Sequence, residues 1–145
     1  MKKNVAMKIS AQVQNSQGKH EVMLQTDNNR HALSIPAKST GSGSSVNGGE
    51  LLFLALATCY CNDIYREAAK RGIVVTQVEV MVEGDFGKEG EPARNVTYRA
   101  KVNAEASENE IVDLLKYTDT VAEIQNTLRN ATPITLQRID VSGTE

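Results

Sequence analysis

Three features of the sequence predict an α+β fold with antiparallel pairing. Short segments alternate apolar and polar residues with period 2, both before and after residues 50–71. Glu50–Arg71 is rich in Ala, Leu, Glu, Lys and Arg and runs into Gly72, a helix with a natural stop. A capping-box pattern, Ser107 with Glu110 three residues on, opens a second helical stretch near the end of the chain.

Val5–Gln14 places Val5, Met7, Ile9, Ala11 and Val13 on one side and reads as a strand. Asn15–Gly18 is turn chemistry, His20–Thr26 alternates again, and Asp27–Asn29 turns the chain into a third strand, His31–Pro36. An antiparallel meander is the simplest arrangement of these three. Ser39–Gly49 is rich in Gly and Ser and reads as a long connection; loops of that length tend to carry function. In the helix Glu50–Arg71, the first half is apolar on all sides, which predicts burial all round, and Asn62–Arg71 is amphipathic. Val74–Glu83 is a β-branched strand, Gly84–Pro92 a polar loop and Asn95–Val102 the return strand of a hairpin. Helices follow at Glu110–Tyr117 and, capped by Asp119, at Thr120–Arg129. Asn130–Pro133 breaks the second, and Ile134–Val141 alternates as a last strand. The order is β-β-β-α-β-β-α-α-β within one domain, residues 1–145.

The composition excludes several classes of function. Of 145 residues, 16 are Lys or Arg and 18 Asp or Glu, for a net charge of −2, so no basic footprint for nucleic acid exists. Aromatic residues are 4% of the chain with no Trp, a poor supply of base-stacking platforms. The longest apolar run, Leu51–Cys61, is too short to cross a bilayer, which needs about 20 residues. The lysines at the start are not followed by the apolar stretch of a secretory signal, so a cytoplasmic protein is expected. Thiols stay reduced there, and Cys59 and Cys61 read as redox-active or core residues rather than a disulfide framework.

The Gly/Ser-rich loop leads into Gly49-Glu50-Leu51-Leu52 and on to Leu54-Ala55-Leu56-Ala57-Thr58-Cys59. With Gly72-Ile73 at the helix end and the run Asn126–Ile134, this resembles the OsmC/Ohr superfamily of osmotically inducible and organic-hydroperoxide-resistance proteins, over nearly the whole chain. Glu50, nine residues before Cys59, matches the broad OsmC-like branch. The resemblance implies an intertwined homodimer with sheets wrapped around long helices and sites at the subunit interface. In peroxidase members a helix Cys attacks an organic hydroperoxide and becomes a sulfenic acid; a second Cys, usually followed by Pro, forms a disulfide with it, and an Arg and a Glu activate the first. Here that second Cys falls on Ala122 and its Pro on Glu123. The peroxidase Glu falls on Gly49, and no Arg stands near Asn15 and Ser16, where the activating one belongs. Cys59 alone of the four features is retained.

The residues themselves limit the cysteine chemistry. Positions i and i+2 on a helix lie about 200° apart around the axis, so a Cys59–Cys61 bridge would require unwinding, and a Cys-x-Cys metal site meets the same objection. Cys59 sits too deep in the helix for the dipole to act on its thiol, so a reactive Cys59 needs a cation nearby. Arg30, His31, Lys19 and His20 are the candidates. Each singled-out residue also has a plain structural role. Both cysteines can be small core residues, the histidines exposed strand ends, and Glu50 a first-turn acid that complements the dipole. Tyr60 and Tyr65 can be packing residues, and Asp63 and Arg66 a surface pair at i,i+3.

Two functions follow. The first is a thiol redox protein that reduces organic hydroperoxides through a single peroxidatic Cys59, possible support coming from Glu50, Arg30, His31 and Cys61, with a small thiol or dithiol as reductant and no cofactor or metal. The second is a catalytically degenerate OsmC-like homodimer that binds a small hydrophobic ligand at its interface through residues such as Leu52, Phe53 and Leu56.

Overall fold

A computed structural model describes residues 6–144. Its elements are β1 (Ile9–Ser16), β2 (Lys19–Thr26), β3 (Asn29–Leu33), α1 (Gly48–Lys70), β4 (Val74–Asp85), β5 (Arg94–Glu105), α2 (Glu108–Val121) and α3 (Glu123–Arg129). The α+β class and antiparallel pairing are as the sequence predicts. The chain divides into two compact units on either side of the Leu51–Leu52 bond.

The first unit holds the meander β1-β2-β3. Val13 faces Val22, and Leu24 faces His31. Val5, the first residue of the expected strand, lies outside the described residues. β3 starts and ends earlier than His31–Pro36, because Asp27 adopts φ 49° and turns the chain at Asp27-Asn28, pairing Thr26 with Asn29. The Gly/Ser-rich segment folds on itself: Ser45 N–H donates to the Pro36 carbonyl at 2.9 Å and Lys38 N–H to Gly43 at 3.1 Å. α1 then opens on a second capping box. Asn47 Oδ1 accepts from the Glu50 N–H at 2.8 Å, and Glu50 Oε1 from the Asn47 N–H at 3.0 Å.

The second unit holds most of α1 and everything after it. α1 ends as Gly72 predicts. At φ 67° this residue lets Ile73 N–H reach the Ala68 carbonyl (2.9 Å) and Gly72 N–H the Ala69 carbonyl (3.2 Å), a Schellman closure. The hairpin β4-β5 is longer than expected and carries irregularities at Val75/Gln77 and Glu83/Asp85. Gly84 is thus a strand residue rather than part of the loop. A Cβ there would lie 2.8 Å from Phe53 Cζ and 3.0 Å from Val96 Cγ2.

The core is one stripe of α1 against the hairpin and α2: Tyr60, Ile64, Ala68, Leu114 and Ala122, flanked by Val78, Val80, Tyr98 and Ala100. Tyr60 donates its hydroxyl to the Leu115 carbonyl at 2.8 Å and meets Tyr98 edge-on at 4.7 Å.

Three expectations are corrected. The first half of α1 is not buried all round. Leu54 is 57% exposed, while Asp63, Ile64, Glu67 and Ala68 of the second half are buried, because only one face of the helix meets the hairpin and α2. Asp119 does not cap a helix. α2 runs through it to Val121, the break falls at Ala122 (ψ 111°), and the Asp119 carboxylate accepts from Tyr98 and Arg129 instead. Ile134–Val141 forms no strand, because no sheet edge among the described residues pairs with it. Ile134, Leu136, Ile139 and Val141 are all exposed.

Candidate functional site

Cys59 projects from α1 one turn before Asp63, and α3 brings its first residue, Glu123, to the same place. The thiol lies 3.5 Å from Asp63 Oδ2 and 3.8 Å from Glu123 Oε1. Arg66, one turn further along α1, closes the cluster. Its Nη1 is 3.1 Å from Asp63 Oδ1 and 2.8 Å from Glu123 Oε2, and its Nε is 2.7 Å from Glu67 Oε2, which Lys70 also reaches at 3.1 Å. The pair Asp63–Arg66 is therefore part of a five-residue polar network beneath Cys59, not an isolated surface pair.

The electrostatics follow from that network. Burial pushes the Cys59 thiol up; the Ile124 N–H works in the opposite direction, and the Asp63 and Glu123 carboxyls raise it further. Burial and the hydrogen bond to Glu123 raise Asp63. Burial also opposes ionisation of Glu123, but the hydrogen bonds from Asp63, its own backbone and Arg66 outweigh it and hold Glu123 low. The two carboxyls form one coupled pair in which Asp63 is the harder to ionise and Glu123 the easier. A sulfur that faces this pair is held as the thiol, a hydrogen-bond donor.

Cys59 Sγ and one oxygen each of Asp63 and Glu123 lie within 4.8 Å of one another, a spacing a metal ion would accept. The Arg66 guanidinium already engages both carboxylates, so that donor set has its cation.

The other expected site residues belong to other parts of the chain. Cys61 is half-buried in a shallow depression with Ala57, Thr58, Asn62 and Val80, and both cysteines are free thiols. Glu50 is committed to the α1 capping box. Arg30 and His31 are exposed on β3, Lys19 opens β2, and His20 shares a hydrogen bond with Asn15 at 3.0 Å. These four belong to the first unit, whereas the cluster at Cys59 is drawn wholly from α1 and α3 of the second.

Beside the cluster is a cavity of about 610 Å³. Leu52, Phe53 and Leu56 of α1 form one wall, Phe86, Val96 and Tyr98 of the hairpin another, and Gln125, Leu128 and Arg129 of α3 a third. Phe53 and Phe86 pack with centroids 5.8 Å apart. Gln125 Nε2 donates to the Leu56 carbonyl at 3.0 Å, which ties α3 to α1 one turn before Cys59. Tyr98 donates to Asp119, and Arg129 Nη2 meets the same carboxylate at 2.7 Å. Burial and the Asp119 contact push the Tyr98 hydroxyl up, so it stays a neutral phenol at the cavity edge.

No curated protein matches the sequence. The OsmC-like protein family matches residues 41–137. Among solved structures, an OsmC-like protein from Mycoplasma pneumoniae superposes with a TM-score of 0.62 at 19% identity, covering 90% of this chain and 92% of that one. An organic hydroperoxide resistance protein OsmC from Legionella pneumophila gives 0.55 at 18% identity, covering 88% and 92%. An OsmC-like hydroperoxide resistance protein from Jannaschia gives 0.51 at 16%, covering 94% and 93%. At these identities the likeness is one of fold.

Proposed function

Because the chain belongs to the OsmC-like protein family, we propose that it works as a homodimeric member of that family that binds a small apolar molecule in the cavity lined by Leu52, Phe53 and Leu56, with Cys59 a resting thiol. The observation that carries this reading is the pairing of an apolar cavity of about 610 Å³ with a thiol facing two carboxyls. A cavity of this size, walled by aromatic and aliphatic side chains with a few polar groups, suits a compact hydrophobic ligand. A thiol with anionic neighbours and a raised pKa is a poor nucleophile.

The test has two arms. An apolar fluorescent naphthalene dye should bind the reduced protein, and Phe53→Asp, which puts a charge in the cavity wall, should abolish binding while circular dichroism is unchanged. Cumene hydroperoxide should produce no Cys59-dependent gain of one oxygen in intact mass within seconds. Rapid oxygen gain, absent in Cys59→Ser, would reverse the conclusion.

Two observations favour a second reading, the reduction of an organic hydroperoxide through Cys59. Leu56 of the cavity wall is one helical turn from Cys59, and the Ile124 N–H favours the thiolate. In that case the thiolate attacks the peroxide oxygen, the alcohol leaves, and a small thiol or dithiol reduces the sulfenic acid. The names of the Legionella and Jannaschia proteins point the same way.

A further inference from the structure

The tip of the β4–β5 hairpin, residues 86–93, has two faces. Phe86, Pro92 and Ala93 line the apolar cavity, whereas Lys88, Glu89 and Glu91 are exposed. Its polar contacts are local: the Glu91 N–H donates to the Lys88 carbonyl at 3.0 Å, and the Glu91 carboxylate meets Arg94 at 3.7 Å. No hydrogen bond or ion pair among the described residues ties residues 86–93 to α1 or α3. Apolar contact alone holds the tip to the cavity, led by the Phe86 ring against Phe53 of α1, yet Phe86 is still 54% exposed.

Regular pairing ends at the same level on both strands. The register is irregular between Glu83 and Asp85, Asp85 pairs with Arg94, and Asn95 adopts φ 55°. Asn95 Nδ2 donates to Asp85 Oδ2 at 3.1 Å and pins the two strands there. A segment beyond such a pin, with few buried contacts and no tertiary hydrogen bonds, belongs to the low-stability end of a fold, from which lids are drawn.

The geometry points to residues 86–93 as a flap over the cavity, hinged at Asp85 and Asn95, with Phe86 its latch on Phe53. This rests on the cavity being a ligand site, as proposed above. Opening breaks the Phe86–Phe53 contact and admits an apolar ligand. A ligand in the cavity gives Phe86, Pro92 and Ala93 more apolar surface to cover, and so favours the closed state. Phe86 thereby sets both the entry and the escape of the ligand.

The test uses the reduced full chain and N-phenyl-1-naphthylamine, an uncharged fluorescent dye. Trypsin cleavage after Lys88, read by mass, reports how often the flap is open. Dye at about ten times its Kd should slow that cleavage about tenfold. Phe86→Ala should speed it about fivefold in the free protein, the worth of one aromatic contact, while cleavage after Arg30 in the first unit stays unchanged. Stopped-flow fluorescence should show dye association and dissociation both about fivefold faster in Phe86→Ala, and at wild-type rates in Phe86→Tyr, which keeps the ring. Faster dissociation with unchanged association makes Phe86 a piece of wall and overturns the flap. Cleavage after Lys88 that neither the dye nor Phe86→Ala alters overturns it too, and in both cases the cavity remains a ligand site. A wild type that binds no dye removes the ligand-site reading itself, and the flap with it.

Discussion

Asp63 Oδ2 lies 3.5 Å from Cys59 Sγ, one helical turn along α1, and of the Asp63–Glu123 pair Asp63 is the carboxyl held high and Glu123 the one held low. Helix α1 sets its cysteine against a carboxyl pair whose counter-cation, Arg66, is bound to the carboxyls themselves.

This arrangement predicts an unequal response to substitution. Glu123→Gln alone removes one anion but frees Asp63 to ionise beside Arg66, so the field at the thiol changes little. Asp63→Asn alone leaves Glu123 charged. The double variant Asp63→Asn/Glu123→Gln removes both carboxyls and leaves Arg66 with Glu67 alone, and the Cys59 pKa should fall, raising the thiolate fraction at neutral pH about tenfold. Each single variant should give less than half of that shift. Burial, the largest cause of the raised value, persists in all of them. The iodoacetamide alkylation rate against pH, in a Cys61→Ser background, reads the shift directly. Equal shifts in the singles and the double would show that the carboxyls do not act as one pair.

Paired carboxyls in this network and at Asp119 should set the acid limit of stability. Hydrogen bonds from Arg66 and Lys70 lower Glu67, and despite burial the contacts with Tyr98 and Arg129 lower Asp119. A carboxyl lowered in the folded state contributes stability that is present above its unfolded value and lost as pH falls through its folded one. Asp63 is raised, so its contribution has the opposite sign: it is present below the ordinary carboxyl value and lost as pH rises through the folded one. Melting temperature should therefore fall as pH drops below the ordinary Glu value of 4.5. The fall should be shallower in Glu67→Gln, which has lost that linkage, and steeper in Asp63→Asn. Thermal scans from pH 6 to pH 3 check both slopes.

Where the sequence was readable, a local rule was at work. Ser107 and Glu110 cap each other across three residues, and Gly72 closes α1 through bonds within one turn. Asn47 and Glu50 obey the same capping rule, and shifting the helix start to Gly48 would have disclosed it. The alternation in β4 and β5 likewise reports a hairpin whose two strands are neighbours along the chain. Leu52, Phe53 and Leu56 were identifiable as a set because a single helix presents them. Glu123 is different: it meets Cys59 across 64 residues, and no periodicity encodes that distance. Asp119 is ambiguous in sequence because a cap and a tertiary ion pair ask for the same residue type, and only Tyr98 and Arg129 decide between them. The alternation of Ile134–Val141 is real, but a strand also needs an edge to pair with.

Gly84 is where the hairpin and α1 come too close for a side chain. Gly84→Ala should cost about 1–2 kcal/mol, as overpacking at such a contact does, because the new Cβ meets Phe53 Cζ and Val96 Cγ2 together. Part of the strain can be relieved by the Phe53 ring, which lines the cavity, and the variant should therefore also bind apolar ligands more weakly. Phe53→Leu shortens the opposing side chain and should restore most of the stability in the double variant. Urea denaturation of the two singles and the double measures the coupling. Additive losses would place the clash elsewhere.

The last prediction concerns the surface that this chain leaves uncovered. Ile134 and Leu136 are 97% and 82% exposed, and Leu54, on the apolar half of α1, is 57% exposed. An alternating apolar segment without a sheet and an apolar helix face without a cover are what one half of an intertwined pair presents. The protein should sediment as a dimer at micromolar concentration. Leu136→Lys/Ile139→Lys charges the unpaired segment, which takes no part in the core of Tyr60, Ile64 and Leu114, and should shift the protein to monomer with its helix content kept. Because a dimer folds by a second-order reaction, the wild-type melting temperature should rise with protein concentration, while that of the lysine variant should not. A wild type that sediments as a monomer with a concentration-independent melting temperature would require these apolar residues to be covered by something other than a second copy.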